Sequence, residues 1–305
     1  MRLGTRRSAL ALAQAGRVAE LIGDCELVAI ATAGDAGRRG GDKSRWVSEL
    51  ERALAAGEID LAVHSAKDVP GELAEGMELM GAPARAGAQD VLCGAPGLDA
   101  LRPGARVGTS SIRRRAQLRS ARADLEVVPL RGNVDTRLAK LADADGALDA
   151  IVLARAGLQR LGRLQEEGAP LELERFVPAP GQGVIVLEGR AGDSDARRAA
   201  ETISDERTMA CLAAERAVAG ALGASCHTPL GAHALASDAG ALLLRAWVGL
   251  PDGSAWAADV QEGPADDPAR LGALVAERLS AAGARELLVS AEEMSAAEEM
   301  SRLGR

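Results

Sequence analysis

Three ordered pairs of similar segments lie within this one chain of 305 residues, and they constrain its fold more than any other feature. Leu3-Gly4-Thr5-Arg6-Arg7-Ser8 resembles Val107-Gly108-Thr109-Ser110-Ser111: in both, an apolar strand end runs through Gly-Thr into a helical pattern. Glu26-Leu27-Val28-Ala29-Ile30 is echoed by Leu125-Glu126-Val127-Val128-Pro129-Leu130. Gly57-Glu58-Ile59-Asp60-Leu61-Ala62-Val63 is matched by Gly146-Ala147-Leu148-Asp149-Ala150-Ile151-Val152, each preceded by an amphipathic helix. Short apolar strands alternating with helices build parallel sheets from βαβ units, so the repeat predicts two α/β domains of one design. Such sheets bind ligands beyond the C-terminal ends of their strands. Arg6, Ser8, Lys67, Asp68, Thr109, Ser111 and Arg131 each follow a predicted strand and are expected to line one crevice between the halves.

From about Asp205 the pattern changes. A helix capped by Ser204 or Asp205 runs to about Leu222 and stops at Gly223, and a loop holding Cys226 follows. Strands are predicted near Leu230 to Ala236, Ala241 to Val248 and Ser254 to Val260, then a helix from about Pro268 to Ala282, which describes a small α+β third domain. The expected division is 1–85 plus 183–204 for the first α/β domain, 86–182 for the second and 205–305 for the third. The polar, Ala-rich ending from Ala291 reads as a peripheral helix or frayed tail.

Seven arginines, Arg102, Arg106, Arg113, Arg114, Arg115, Arg119 and Arg122, fall between Asp99 and Asp124 with no acidic residue among them, in a chain of net charge -8. Ser or Thr in Gly108-Thr109-Ser110-Ser111 caps a helix, which puts Arg113 to Arg115 in its first turn. The helix dipole disfavours a cation there by about 0.3–1 kcal/mol. An anion over that terminus reconciles the two, since backbone N–H groups and arginine forks then share a ligand. A solvated basic face is the plainer reading of such a run taken alone.

Hydrophobic residues make up 47% of the chain but aromatics only 1%, so the core is built from Leu, Val, Ile and Ala and stacking contributes little to any binding. No apolar run reaches the roughly 20 residues a bilayer requires, and no signal-peptide pattern opens the chain; a cytoplasmic protein with no membrane partner is expected. The acidic balance argues against nucleic acid. The four cysteines show no CxxC and no nearby His pair, so neither a metal site nor a disulfide framework is indicated.

Asp60 to Pro70 reads DLAVHSAKDVP, a buried strand ending in polar residues. Lys67 beside Asp68 is a surface turn pair when taken alone. At the ligand end of a strand facing arginines, Asp68 becomes the acid placed to hold a proton or stabilise a developing cation. His64 reads as a satisfied strand-end histidine, and Lys67 as an anion ligand or, if buried, a Schiff-base nucleophile. LRGNVDTRLAKL contributes Arg131 and Arg137, with Asn133 as a cap and Lys140 facing solvent; AGLQRLG contributes Arg160, and PAPGQGV brings Gln182 back toward the first domain. Cys226 sits among Ser225, His227 and Thr228 in a loop where an arginine-lined crevice favours its thiolate. Cys25, Cys93 and Cys211 read as core. Ala33 to Arg45 reads as a mobile loop, either a solvated linker or a lid.

Taken together, LGTRRSALALAQA, DLAVHSAKDVP, VGTSSIRRRAQL, LRGNVDTRL, LARAGLQRLG, PAPGQG and the Cys226 loop resemble the porphobilinogen deaminase (hydroxymethylbilane synthase) family, in order, from Arg2 to about Gly231. The resemblance implies an α/β protein of two type II periplasmic-binding-protein-like domains with a third small α+β domain. It also implies a dipyrromethane cofactor joined by a thioether to Cys226. The family is a transferase of tetrapyrrole and heme biosynthesis: four porphobilinogens are condensed head to tail with loss of ammonia, giving linear hydroxymethylbilane, and a monomer is expected. By motif, Asp68 is the catalytic aspartate. Ser65, Lys67, Thr109, Ser111, Arg113 and Arg114 match positions that hold the cofactor, while Arg6, Ser8, Gln14, Arg131, Arg137, Arg160 and Gln182 match those facing substrate. Five positions depart: Ala9 and Ala13 replace the family's Pro and Trp, Trp46 replaces a Phe, Ser225 replaces a Gly before the cysteine, and Arg155 replaces a small or apolar residue. A non-catalytic two-lobed anion-binding protein is the rival reading; it needs the arginines but neither Cys226 nor Asp68.

Overall fold

Segments such as Leu61-Ala62-Val63 and Ala150-Ile151-Val152-Leu153 are apolar at every position, the mark of strands covered on both faces, and the computed structural model places them at the centres of two sheets. The structure describes residues 1–31, 44–143, 148–224 and 228–303. Most of the loop expected from Ala33 to Arg45 lies outside the described residues, as do Ser225, Cys226, His227 and the side chain of Trp46. The last two residues of that loop, Ser44 and Arg45, instead open a helix.

The first lobe contains β1 (Arg2–Arg6), α1 (Ala9–Ile22), β2 (Glu26–Ile30), α2 (Ser44–Ala55), β3 (Leu61–Ser65) and β4 (Met77–Gly81). The chain then crosses to a second lobe of β5 (Asp90–Cys93), β6 (Arg106–Gly108), α3 (Ile112–Ala121), β7 (Glu126–Val128), α4 (Val134–Ala142), β8 (Ala150–Ala154), α5 (Arg155–Arg160) and β9 (Ala169–Pro170). It returns to the first through β10 (Ile185–Arg190) and α6 (Ser194–Ile203). The third domain holds α7 (Glu206–Ala221), β11 (Leu230–Ala236), β12 (Ala241–Gly249), β13 (Trp256–Pro264), α8 (Pro268–Ala281) and α9 (Ala284–Leu303).

The sheet orders are β2-β1-β3-β10-β4 and β7-β6-β8-β5-β9. The three repeated sequence pairs are thus β1 with β6, β2 with β7 and β3 with β8, in equivalent positions. The sheets are mixed rather than wholly parallel: β10 runs antiparallel to β3 and β4, and β5 antiparallel to β8 and β9. The reason is topological, since each antiparallel slot is filled by the strand arriving from the other lobe. Leu3, Val18, Leu61, Val63, Ile185 and Leu187 pack one core, and Leu92, Val107, Leu118, Leu125, Val152 and Phe176 another.

Other expectations shift locally. Strand β13 begins at Trp256, because Asp252 accepts from Ser254 N at 3.0 Å and Gly253 takes a positive φ, making a turn where a strand was predicted. The tail is a helix whose start is anchored by buried Ala284, Leu288 and Ala291. Cys93 and Cys211 are buried, each thiol pushed up to about 11 by burial, whereas Cys25 is only partly covered. Among the described residues no helix is long and apolar enough to cross a membrane, and no His, Cys, Asp and Glu cluster is placed to hold a metal.

All three units meet at Glu215, which is wholly buried on α7. Its carboxylate accepts from Arg85 Nη1 at 2.5 Å, from Gly181 N at 2.7 Å and from Ala234 N at 2.8 Å. Arg85 lies on the outgoing crossing between the lobes, Gly181 on the returning one and Ala234 on β11. Beside this junction Ala86 N donates to Gly183 O at 3.1 Å, and Gly183 adopts φ +88 where a Cβ would lie 2.5 Å from Ala86 O. Removing one partner of a buried ion pair strands the other. Glu215→Ala is therefore expected to lower stability by about 3–5 kcal/mol in urea unfolding, with Glu215→Gln losing less; equal stability of Glu215→Ala and wild type would remove the junction from this role.

Candidate active site

Each lobe presents a helix N-terminus at the end of its sheet. Ser8 caps α1 by accepting from Ala11 N at 3.3 Å, and Ser111 caps α3 by accepting from Arg114 N at 3.4 Å. Both hydroxyls keep a proton to donate. Thr109 Oγ1 accepts from Ser111 N at 3.2 Å, which fixes the turn leading into α3.

In the first lobe a cavity of about 70 Å³ is bordered by Arg6, Ser8, Gln14, His64, Ser65 and Asp68. Gln14 is buried and donates to Ser65 Oγ at 2.7 Å, tying α1 to the end of β3. His64 is buried with Nε2 2.9 Å from Glu188 Oε2 on β10, but the approach does not have hydrogen-bond geometry, so Nε2 and both Glu188 oxygens lack a hydrogen-bond partner among the described residues and the expected satisfied histidine is not found. Lys67 and Asp68 occupy the short helical turn after β3. Five of the predicted residues are thus brought to one cavity, and Lys67 stands beside it.

The second lobe departs from the expectation that the arginines converge on a ligand. Arg102 pairs with Asp149 at 3.0 Å, Arg122 with Asp124 at 2.7 Å, and Arg106 lies 3.3 Å from Glu126. Arg115 turns outward to Glu298 of α9 at 2.6 Å, and Arg119 donates to Asp252 O at 3.3 Å. Arg102, Arg106 and Arg122 are thus taken up by acids of their own lobe, and Arg115 and Arg119 by the third domain, which covers the outer side of α3, where Trp247 also meets Ala116 and Val177.

Only Arg113 and Arg114 turn inward. Both are buried against Asp90, with Arg113 Nη2 2.9 Å from Oδ2 and Arg114 Nη2 2.8 Å from Oδ1. Burial opposes ionisation of Asp90, yet Arg113, Arg114 and the Gln182 hydrogen bond outweigh it and hold the carboxyl well below the usual range. Gln182 is buried too; its Oε1 accepts from Lys67 Nζ at 3.4 Å, which links the lobes.

Arg137 and Arg160 are different. Both are half-buried. The Arg137 Nε donates to Gly132 O at 2.8 Å and the Arg160 Nη2 to Gly183 O at 2.6 Å, and neither has a carboxylate partner among the described residues. Desolvation lowers both guanidiniums, Arg160 to about 10, with Arg114 nearby also acting on Arg137. Arg131 is exposed, its carbonyl accepting from Lys140 Nζ at 3.2 Å. Partly desolvated cations without counter-charges suit an anionic ligand, and carboxylates fit the forks. Lys67 and Arg114 both reach the Gln182 amide oxygen, at 3.4 and 3.5 Å, while Ser65 borders the first-lobe cavity and Thr109 and Ser111 form the turn into α3; Cys226 lies outside the described residues.

The profile described as "Porphobilinogen deaminase, dipyromethane cofactor binding domain" matches residues 1–198, and "Porphobilinogen deaminase, C-terminal domain" matches 209–281. The chain belongs to the porphobilinogen deaminase family. A curated relative of that name from Thiobacillus denitrificans is 45% identical, covering 94% of this chain and 97% of its own. Relatives of the same name from Roseiflexus castenholzii and Deinococcus radiodurans are 47% and 41% identical, covering 81% and 95% of this chain and 81% and 98% of theirs. Helix α9 begins beyond both matched regions of the family profiles.

Sequence reasoning missed Asp90, Glu215 and Glu188, all buried acids. A carboxylate opening the apolar run Val91-Leu92-Cys93 was the available sign of Asp90. For Arg160 the cationic form is disfavoured, so the penalty is carried below about pH 10 and relieved as pH rises toward the ordinary guanidinium range. Arg160→Met is expected to stabilise the ligand-free chain by about 1–2 kcal/mol in urea unfolding at neutral pH, less than the whole shift because Gly183 O loses its donor. A less stable variant would show that Arg160 is compensated.

Proposed function

We propose that this chain condenses four porphobilinogen molecules head to tail on a dipyrromethane group held by a thioether at Cys226, releasing ammonia at each addition, and that water then cleaves the bond to the dipyrromethane, freeing linear hydroxymethylbilane while the dipyrromethane stays attached. It acts as a cytoplasmic monomer on a small-molecule substrate, with no nucleic-acid or membrane partner. What supports this reading is that one acid, Asp68, borders the first-lobe cavity while Arg137 and Arg160 of the second lobe are half-buried with no carboxylate partner among the described residues. When bound, the dipyrromethane supplies the pyrrole carbon to which substrate is joined.

The residues divide the work. Arg6, Ser8, Gln14, Arg131, Arg137 and Arg160 receive the acetate and propionate arms of substrate, since forks and hydroxyls donate to carboxylates. Ser65, Lys67, Thr109, Ser111, Arg113 and Arg114 hold the resident group, the last two as a fixed positive field as much as by direct contact, because Asp90 already engages them. Gln182 orients Lys67. An ionised Asp68 accepts pyrrole N–H groups and stabilises the cation left on the substrate when ammonia departs. A two-lobed anion binder uses the arginines equally well but gives Asp68 and Cys226 no task.

Intact mass is the direct test. Wild-type chain from a host that makes porphobilinogen is expected to carry the excess of two linked pyrrole units, and Cys226→Ser none; an unmodified wild type removes the reading. Asp68→Asn is expected to retain the added mass while turnover falls about 10²–10⁴-fold. Near-normal turnover strips Asp68 of its role.

A further inference from the structure

Asp90 does not border the first-lobe cavity, yet it organises groups from both lobes. It opens β5, the first strand after the chain leaves the first lobe, and its exposure is 1%. Its Oδ1 accepts from Arg114 Nε at 3.0 Å, from Arg114 Nη2 at 2.8 Å and from Gln182 Nε2 at 2.8 Å, while Arg113 Nη2 lies 2.9 Å from Oδ2. An ionised carboxylate can only accept. The end of the Gln182 amide that faces Asp90 is therefore the NH2, and that nitrogen also donates to Ala88 O at 2.7 Å. With both amide protons committed, Oε1 turns away from Asp90. That oxygen is the atom reached by Lys67 Nζ at 3.4 Å from the first lobe and by Arg114 Nη2 at 3.5 Å from the second.

The charges make the same point. Two guanidiniums share one carboxylate, so the buried cluster keeps one net positive charge beside the cleft. A buried ion cluster is a weak source of stability, because desolvation offsets much of its attraction. What it does supply is geometry: Arg113 is further held by Gln117 and Val177 O, both at 2.9 Å, and Arg114 by Val152 O at 3.0 Å.

We propose that Asp90 is a positioning residue: it sets the direction of the Gln182 amide and, through that oxygen, holds Lys67 and the turn bearing Asp68 in register with the arginine helix α3. The inference rests on reading the cleft as the tetrapyrrole site, and one of its two tests is independent of that reading. In 15N-labelled protein the Gln182 side-chain NH2 pair is identified by its loss in Gln182→Met. It is expected to persist at pH 7.5 in wild type and to exchange with solvent at least about tenfold faster in Asp90→Asn, as loss of a hydrogen bond to a charged group implies. Turnover per dipyrromethane-loaded chain, with loading counted by intact mass, is expected to fall about 10–100-fold in Asp90→Asn. The KM for porphobilinogen is expected to stay within about threefold, because Arg6 and Arg160 stand outside the cluster. A purely structural role instead lowers the loaded or folded fraction and leaves turnover per loaded chain unchanged.

Should Asp90→Asn fail to fold, Gln182→Met decides the matter: it leaves the arginine–Asp90 contacts intact and is expected to show the same loss of turnover with KM maintained. The proposal is overturned by an unchanged Gln182 pair in Asp90→Asn, or by wild-type turnover per loaded chain in whichever variant folds. A wild-type chain lacking the two-pyrrole mass would sink the functional reading alone, and the amide exchange would still judge the role of Asp90.

Discussion

Two lobes connected by a pair of crossing segments need something to hold those segments in register, and here it is buried carboxylate. Glu215 gathers Arg85, Gly181 and Ala234, and Asp90 gathers Arg113, Arg114 and Gln182. Both acids sit where an unpaired charge is costly, so each surrounding group is confined to a narrow range of positions. The third domain contributes Glu215 and also covers the outer side of α3 through Trp247 and Glu298. The arginine helix is thereby clamped from two sides, one facing the cleft and one facing away.

The same electrostatics separates structural cations from those left for a ligand. Arg102, Arg115 and Arg122 have carboxylates of their own, whereas Arg137 and Arg160 are half-buried and hydrogen-bond to backbone carbonyls. Holding a guanidinium that way costs stability, and the proposed task of gripping acidic arms of the substrate is a reason to retain it. Family membership is thus joined by a geometry in which an acid borders the first-lobe cavity and two half-buried cations without carboxylate partners among the described residues lie in the second lobe.

Much of the architecture was legible in the sequence. The three repeated pairs became equivalent strands, and Ser111, Asn133 and Asp205 cap the helices their positions suggested. Local chemistry sufficed there, because a cap or an apolar strand is defined within a few residues. The antiparallel strands β5 and β10 were not legible, since their direction depends on where the chain re-enters a sheet. The first-lobe site residues were readable as strand ends followed by polar side chains. The fates of the individual arginines were not: the partner of Arg115 lies 183 residues away and that of Arg85 lies 130 away.

What the sequence determined alone was the repeated strand-turn-helix unit, the residues at its ligand-facing ends and the local surplus of positive charge, all properties of neighbours along the chain. Tertiary structure decided which charges cancel and which remain. That choice depends on distances of about 3 Å between groups far apart in sequence, and burial then raises the penalty for every charge left without a partner.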